Sequence, residues 1–425
     1  MTVQNLTIWP RLQSGSWLTQ ERARGYLRLL AIANLIGLAL AICRGTGWLF
    51  PPVPHFSTEF LSFYAAGRLA AAGHAALVYA PGIPAHAYIA SFHVPPGHQA
   101  MEHALSHDPQ VMYFSFFYPP VYWLLCAPLS LLAYYRAYLL WVGLSGALLW
   151  CCLRQMMGGW LRAWPALAYL AITENAAVGE NAFLSTALVG FGLLNLEKRP
   201  LLAGACFGAL CYKPNFVLPV ILLLLAGRHL AALVSAAFTG TALCLLSAVL
   251  FGWRNWLGYF LVTVPHAQFL FTHGGFSYAL MVTPGSAVRL LGGGGVLAAA
   301  VQAGGMLFGA YCIFATRRAS FNVRAAMFAA SFPMLLTVML SYDLTMSGLA
   351  ILYMLREVER TAYLPWEKTA LAAMFALPLV TEILRTQMHI PLDPLITLTF
   401  MALLLRRAAM TPACQNSLPL NAFHT

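Results

Sequence analysis

The chain has few carboxylates, and one of them, Glu59, stands where it can act on a substrate. Only 13 of the 425 residues are Asp or Glu, while 60% of the residues are apolar. An acid beside an apolar run costs free energy and therefore indicates a function. Glu59 follows the first apolar run, and a carboxylate at the mouth of a cavity can take a proton from a hydroxyl group. The alternative is an ordinary loop acid or a partner at a helix N-terminus.

Lys213 is a second candidate, because it is one of only three lysines and interrupts the apolar stretch 209–215. If this stretch lies in a membrane, the lysine can simply extend its amine to the membrane surface. It can equally pair with a phosphate as a compact positive charge. The sequence leaves both interpretations open.

Two short polar segments interrupt later apolar runs. Glu180 and Asn181 lie at a predicted hairpin tip between two short helices. Turn chemistry alone explains Asn181, whereas the carboxylate of Glu180 is available to a substrate. Asp343 opens a short apolar run, and its side chain is expected to cap the helix that follows.

Histidines are concentrated in the region 45–118, which holds seven of the 12. His103 and His107 share one helical face, but no HExxH motif or CxxC pair completes a zinc site. Walker, GxGxxG and GxSxG motifs are also missing, so nucleotide-driven transport and serine hydrolysis have no support. We therefore predict no cofactor and no metal site, although the sequence does not exclude a divalent metal.

The elements that position these residues must be membrane helices. Charged residues make up only 9% of the chain, against about 25% in a typical soluble protein. At about 20 residues per span, the apolar residues suffice for about a dozen spans. The net charge of +11 comes mostly from scattered arginines, which does not indicate nucleic-acid binding. The composition predicts an all-α polytopic membrane protein embedded in a lipid bilayer.

Thirteen apolar runs are found, and twelve of them are predicted to cross the membrane. They cover 29–43, 119–134, 137–153, 164–177, 182–196, 200–212, 215–227, 230–251, 286–316, 325–340, 344–355, 369–384 and 394–405. The proline-rich run 119–134 is taken as non-crossing. The predicted organisation is a cytoplasmic segment 1–26, a single transmembrane domain 27–407 and a polar tail 408–425.

The basic residues suggest an orientation. With both termini in the cytoplasm, seventeen of the 24 basic residues lie on the cytoplasmic side, as the positive-inside rule favours. The long loop 45–118, the tip at 179–181, Lys213 and the segment at 342–343 then fall on the outer side. That arrangement predicts a site at the outer membrane interface.

The order of these segments resembles glycosyltransferase family 87. The resemblance is carried by 59–69, 117–120, 127–129, 179–184, 199–204, 212–214 and 342–344, and it covers roughly residues 50–350. Each motif is weak alone, but their succession is fairly specific.

The resemblance implies a GT-C bundle of about 12 transmembrane helices with a long first outer loop and an active site at the outer face. It implies transfer of a hexose such as mannose, or of a pentose, from a polyprenyl-phosphate-linked donor to a glycan or glycolipid acceptor. It places the protein in a bacterial-type inner membrane. The acid of the first outer loop acts as general base in such families, and the matching residue is Glu59. Lys213, Arg68 and Arg289 are the candidates for the donor phosphate, and Tyr64, Tyr118, Glu180, Asn181, Tyr342 and Asp343 are the candidates for substrate binding.

This chain departs from the family pattern at two positions. Glu59 stands where the family usually has Asp, and Glu180 where it usually has Gln. Misplacement of a reacting group by about 1 Å can cost on the order of a hundredfold in rate. Either the site has re-formed around the longer side chain of Glu59, or activity is impaired.

Two other functions remain as alternatives. A transporter or flippase of lipid-linked intermediates is the first, although such proteins usually show repeated halves with matched broken helices. The loop 45–118 has no counterpart in the second half of the chain, which favours the enzyme. The second is a catalytically inactive relative that only binds a partner.

Overall fold

The computed structural model describes residues 8–46, 58–79, 91, 93–106, 113–159 and 161–410. In that part of the chain the fold is helical, and the only β-type pairing is an isolated antiparallel bridge between Met281 and Leu340. An all-α protein is thus confirmed. The contacts divide the chain into two compact units, which are described separately below.

The first unit comprises residues 30–217 and 229–278. Its α-helices are α2 (Gln20–Thr46, of which the part from residue 30 belongs here), α3 (Thr58–Ala71), α4 (Pro96–Ser106), α5 (Trp123–Leu129), α6 (Tyr134–Met157), α7 (Leu170–Val178), α8 (Ala182–Asn195), α9 (Pro200–Gly208), α11 (Leu230–Phe251), α12 (Arg254–Gly258) and α13 (Val264–His273). Short 3-10 turns connect several of them, at Ala75–Tyr79, Pro120–Tyr122, Leu161–Ala168, Ala209–Tyr212 and Pro214–Phe216.

The second unit comprises residues up to 29, 218–228 and from 279 onwards. Its α-helices are α1 (Ile8–Ser14), α10 (Val217–Ala226), α14 (Pro284–Leu290), α15 (Gly295–Ala315), α16 (Phe321–Ala330), α17 (Phe332–Leu335), α18 (Thr345–Thr361), α19 (Glu367–Gln387) and α20 (Asp393–Met410).

Five helices within the described ranges are long and apolar enough to cross a membrane. They contain the segments Gln20–Leu40, Tyr134–Met157, Leu230–Phe251, Gly295–Ala315 and Glu367–Met388. The predicted count of twelve spans is not confirmed. Several other apolar runs form helices of about ten residues, which extend only about 15 Å, half the thickness of the hydrocarbon core.

Two runs that the sequence suggested as continuous are interrupted. The run 286–316 divides into α14 and α15 at the glycines 292–294, because consecutive glycines disfavour helix. The run 325–340 is broken at Ser331, between α16 and α17, and its helix ends at Leu335, where the next residue, Leu336, is extended. The carbonyls released at this break are satisfied by Gln302, whose Nε2 donates to Met334 O at 3.0 Å and to Leu336 O at 2.9 Å.

The prediction that Asp343 caps the following helix is wrong. Helix α18 begins at Thr345 and its cap position is occupied by Leu344, while Asp343 lies inside the preceding 3-10 turn. Asp343 could cap an α-helix that begins at Leu344. The 3-10 turn Ser341–Leu344 comes first, however, so the α-helix begins one residue later, at Thr345.

Small residues bring α9 and α11 into close contact. Ideal Cβ atoms at Gly204 and Gly208 would lie 2.3 Å from Ala232 O and 2.4 Å from Ala236 O. Two glycines four apart on one face let helix backbones approach in this way in membranes. This packing fixes α9, and the chain that leaves α9 leads directly to Lys213.

Candidate functional site

A polar network in the first unit begins at the hairpin tip. Helix α7 ends at Gly179, which adopts a left-handed conformation (φ 71°), and α8 begins at Ala182. The hydroxyl of Tyr118 donates to Oε1 of Glu180 at 2.7 Å, and the backbone N–H of Asn181 donates to the other carboxylate oxygen. Glu180 is almost fully buried, so these bonds hold its carboxylate in a defined orientation.

Lys213 joins the same network. Its Nζ donates to Oδ1 of Asn181 at 3.1 Å and lies 4.9 Å from the centre of the Phe216 ring. Lys213 is only 6% exposed, so its ammonium is not extended into solvent. Pro214 follows, and helical conformation is disfavoured for a residue before proline, which explains why the chain turns at Lys213 (φ −124°, ψ 75°).

Aromatic rings surround this network. The ring centroids of Tyr118 and Tyr122 are 4.6 Å apart, and those of Tyr122 and Tyr212 are 5.2 Å apart. The hydroxyls of Tyr212 and Ser185 share a hydrogen bond of 2.8 Å. The polar groups therefore lie in an apolar setting, where each electrostatic interaction is stronger than in water.

Glu59 is brought close to the hairpin tip by its neighbour in sequence. It lies in the first turn of α3 and is partly buried. The next residue, Phe60, packs against Gly179: a Cβ at position 179 would lie 2.7 Å from that of Phe60. One turn further on, Phe63 packs edge-on against Tyr118 with a centroid distance of 5.3 Å. Helix α3, with Glu59 in its first turn, thus contacts Gly179 and Tyr118, which flank Glu180 in the network.

A buried pair on α4 was missed at the sequence level. His98 and Glu102 are both 0% exposed, and they lie one helical turn apart. Nε2 of His98 contacts the carbonyl of Ser62 at 3.1 Å, so this nitrogen must carry the hydrogen and Nδ1 accepts from the Tyr113 hydroxyl at 3.1 Å. Burial lowers the pKa of His98 to about 4, which keeps the ring neutral.

Glu102 is the more unusual of the two. Burial raises the pKa of Glu102 to about 9, the N–H of Phe114 opposes this, and the charge of Glu59 adds to it. Its Oε2 accepts from Phe114 N at 3.1 Å, whereas its Oε1 has no hydrogen-bond partner among the described residues. At neutral pH this carboxyl is therefore protonated. The signal in the sequence was weak, because a histidine and an acid four residues apart are also common on the solvated face of a helix.

The other predicted site residues of this unit contact main chain. Tyr64 donates from its hydroxyl to Leu132 O at 2.6 Å. Arg68 is exposed, lies nine residues after Glu59 and so about 13 Å along the helix axis, and contacts Ser130 O at 3.4 Å.

Three predicted site residues belong to the second unit. Tyr342 and Asp343 are buried in the turn before α18, and Arg289 contacts Gly293 O at 3.2 Å at the end of α14. Their suggested roles stay predictions.

The histidine pair considered for zinc is only half described, because His107 lies outside the described residues. Within the described ranges, no group of three or more His, Cys, Asp or Glu side chains could hold a metal ion.

Comparison with known proteins identifies the family. The family model of glycosyltransferase family 87 matches residues 116–341, more than half of the chain. The chain belongs to glycosyltransferase family 87 and is a membrane glycosyltransferase. No curated protein and no solved structure matches it. The matched region contains Tyr118, Glu180, Asn181 and Lys213, whereas Glu59 precedes it.

Proposed function

We propose that this enzyme transfers a sugar from a polyprenyl-phosphate-linked donor to a hydroxyl group of a glycan or glycolipid acceptor at the outer face of a bacterial-type inner membrane. The sugar is a hexose such as mannose, or a pentose. Glu59 is the general base and Lys213 binds the donor phosphate. The proposed transmembrane domain spans 27–407, with both termini in the cytoplasm.

The observation that carries this proposal is the position of Lys213. Its ammonium is buried among aromatic rings and is held by Asn181, which is itself fixed at the hairpin tip. A positive charge in an apolar setting attracts an anion more strongly than the same charge does in water. A phosphate attached to a lipid chain supplies such an anion, and its prenyl chain suits the apolar surroundings.

The chemistry needs only two charged groups. The acceptor oxygen attacks the anomeric carbon while Glu59 takes the hydroxyl proton. The bond from the anomeric carbon to the phosphate oxygen breaks, and its electron pair leaves with the phosphate. Lys213 offsets the charge that develops there. Attack opposite to the departing phosphate inverts the configuration at the anomeric carbon.

The remaining residues orient these two groups. Asn181 holds the amine of Lys213, and Glu180 with Tyr118 forms the wall beside it, where sugar hydroxyls can be bound. Tyr64 supports α3 through Leu132. Arg68, Arg289, Tyr342 and Asp343 stay candidates for phosphate or substrate binding. No cofactor and no metal take part in the reaction as proposed.

The direct test is transfer of label by the purified protein. We expect label from a radioactive polyprenyl-phosphate sugar to appear in a glycan or glycolipid of added membrane extract. A panel of mannose, glucose and pentose donors identifies the sugar, and a mock purification from cells that do not express the protein is the control for contaminating activity. Absence of transfer from every donor, with lipid movement across vesicles instead, would favour a transporter.

A further inference from the structure

Two helix faces meet at α3 and α4, and each carries a carboxyl group. Glu59 and Ser62 are three residues apart on α3, and His98 and Glu102 are four apart on α4, so each pair shares one face of its helix. The hydrogen bond from His98 Nε2 to Ser62 O places these two faces opposite each other. An ideal Cβ at Gly97, at the start of α4, would lie 2.8 Å from the Cβ of Leu77, in the 3-10 turn that follows α3. The two helices therefore run in opposite directions, and Glu102 lies on the side of His98 that is nearer to the first turn of α3, where Glu59 lies.

The interface between these faces is polar and closed to solvent. Ser62 and Glu102 are both 0% exposed, and neither Ser62 Oγ nor Glu102 Oε1 has a hydrogen-bond partner in the described part of the chain. Buried polar atoms nearly always have partners, so an exception of this kind calls for an explanation. If Glu102 served only to fill space, an apolar side chain of similar volume would stabilise the fold at least as well.

The surroundings of Glu102 decide which carboxyl is charged. The titratable groups on the elements packed against α4 are Glu59, Tyr64 and Arg68 on α3, Tyr79 in the 3-10 turn, and Tyr113. Arg68 is exposed at the far end of α3, and the hydroxyls of Tyr64, Tyr79 and Tyr113 are directed to Leu132 O, Tyr118 O and His98. His98 Nδ1 lies 3.9 Å from Glu102 Oε1, but its ring is neutral. Among the described residues no Lys or Arg forms an ion pair with Glu102, whereas Glu59 is partly exposed to water.

We propose that Glu102 is the acid partner of Glu59: the two carboxyl groups hold one proton and one negative charge, with the proton on Glu102. Two carboxyls in one site divide in this way, because the more deeply buried one is the harder to ionise. Glu102 then acts as a positioning residue, whose carboxyl group stays neutral beside the base and leaves the negative charge on Glu59. This inference rests on the proposed role of Glu59.

The proton balance follows directly. When Glu59 accepts the proton of the acceptor hydroxyl, the pair holds two protons and no charge. One proton must leave to water before the next turnover, and it leaves from Glu59 because that residue is the exposed member.

The first test measures the protonation of Glu102 and does not depend on enzyme activity. The infrared C=O band of a protonated carboxyl is titrated in the purified protein, and the band of Glu102 is identified by its loss in Glu102→Gln. We expect a midpoint near pH 9, moved to lower pH in Glu59→Gln, because the neighbouring negative charge is gone. An identical midpoint in the two proteins, or a band that Glu102→Gln does not remove, overturns the proposal.

The second test separates positioning from packing. Glu102→Leu keeps the volume but removes the donor, and we expect kcat to fall about tenfold with the donor KM unchanged, since a displaced base slows the chemical step. Glu102→Gln restores a donor and should recover most of kcat. Equal kcat in the Leu and Gln variants overturns the positioning role. If transfer survives in Glu59→Gln while the infrared midpoint moves, the charge pair stands and the assignment of the base is wrong.

Discussion

Phe60 and Gly179 are in direct contact, which joins the first turn of α3, where Glu59 lies, to the turn that carries Glu180. The contact is so close that a Cβ on residue 179 would lie 2.7 Å from the Cβ of Phe60 and 3.1 Å from the Tyr138 ring. Only a residue without a side chain fits there. Glu59 and the network of Glu180, Asn181 and Lys213 are therefore held together by packing between their sequence neighbours.

Gly179→Ala tests this contact. We expect the variant to lower Tm and to reduce transfer, because the new methyl group pushes α3 away from the hairpin tip; overpacking of this kind costs about 1–3 kcal/mol. Gly158→Ala is the matched control, since Gly158 also ends a helix with positive φ (74°) but has only the Arg162 guanidinium at 3.6 Å. Thermal unfolding of both variants measures the difference, and an equal loss of Tm would show that only backbone strain matters.

Lys213→Ala is expected to raise the donor KM by about tenfold or more, the scale of a hydrogen bond to a charged group. Lys213→Arg should retain part of the affinity. Asn181→Ala should act in the same direction but more weakly, and should add little to Lys213→Ala, because both changes remove one interaction. The exposed Lys198→Ala is the control. A donor KM that is unaffected by Lys213→Ala would mean that the lysine has only a structural role.

Glu59→Gln keeps the size of the side chain but removes the basic oxygen. Turnover should fall by about 10² or more, with donor affinity nearly unchanged. Glu59→Asp restores the residue usual in the family but shortens the reach. Loss of activity in the Asp variant would indicate a site re-formed around Glu, and a gain would indicate an impaired one. Full turnover by a folded Glu59→Gln protein would exclude Glu59 as the base.

Glu102 should make stability depend on pH. Its pKa is about 9 in the folded protein against an ordinary 4.5, so between these values the folded state holds more protons than the unfolded state. The stability that this residue contributes therefore falls as pH rises. We expect Glu102→Gln to raise Tm relative to the wild type more at pH 8 than at pH 5. The exposed Glu359→Gln is the control, and a Tm difference that is the same at both pH values would contradict the assignment.

The orientation of the chain in the membrane can be measured by labelling single cysteines at two exposed positions. In a cysteine-free background, Ala100→Cys is expected to react with an impermeant thiol reagent in intact spheroplasts, and Lys198→Cys only after lysis. Both side chains are exposed in the structure, so labelling reports the side of the membrane rather than burial. Position 343 is unsuitable because Asp343 is buried. The opposite labelling pattern would place the proposed site in the cytoplasm.

Local signals in the sequence were enough to predict two turns of the candidate site. The turn at Glu180 and Asn181 and the interruption at Lys213 could be predicted, because turn residues and proline act over a few positions. The pairing of His98 with Ser62 could not, because it depends on how α4 packs against α3. The number of spans was equally beyond reach, since a short apolar run fits a crossing helix and a half-helix alike.

The buried ion pair between Arg407 and Glu367 determines when helix α19 can reach its final packing. Arg407, near the end of α20, donates from Nε to Glu367 Oε1 at 2.8 Å and from Nη2 to the other oxygen, and both residues are almost fully buried. Removing one member of a buried ion pair typically costs about 3–5 kcal/mol. During synthesis Glu367 emerges from the ribosome forty residues before its partner. Helix α19 therefore has to wait for α20, and this unit reaches its final packing only when nearly the whole described chain has been translated.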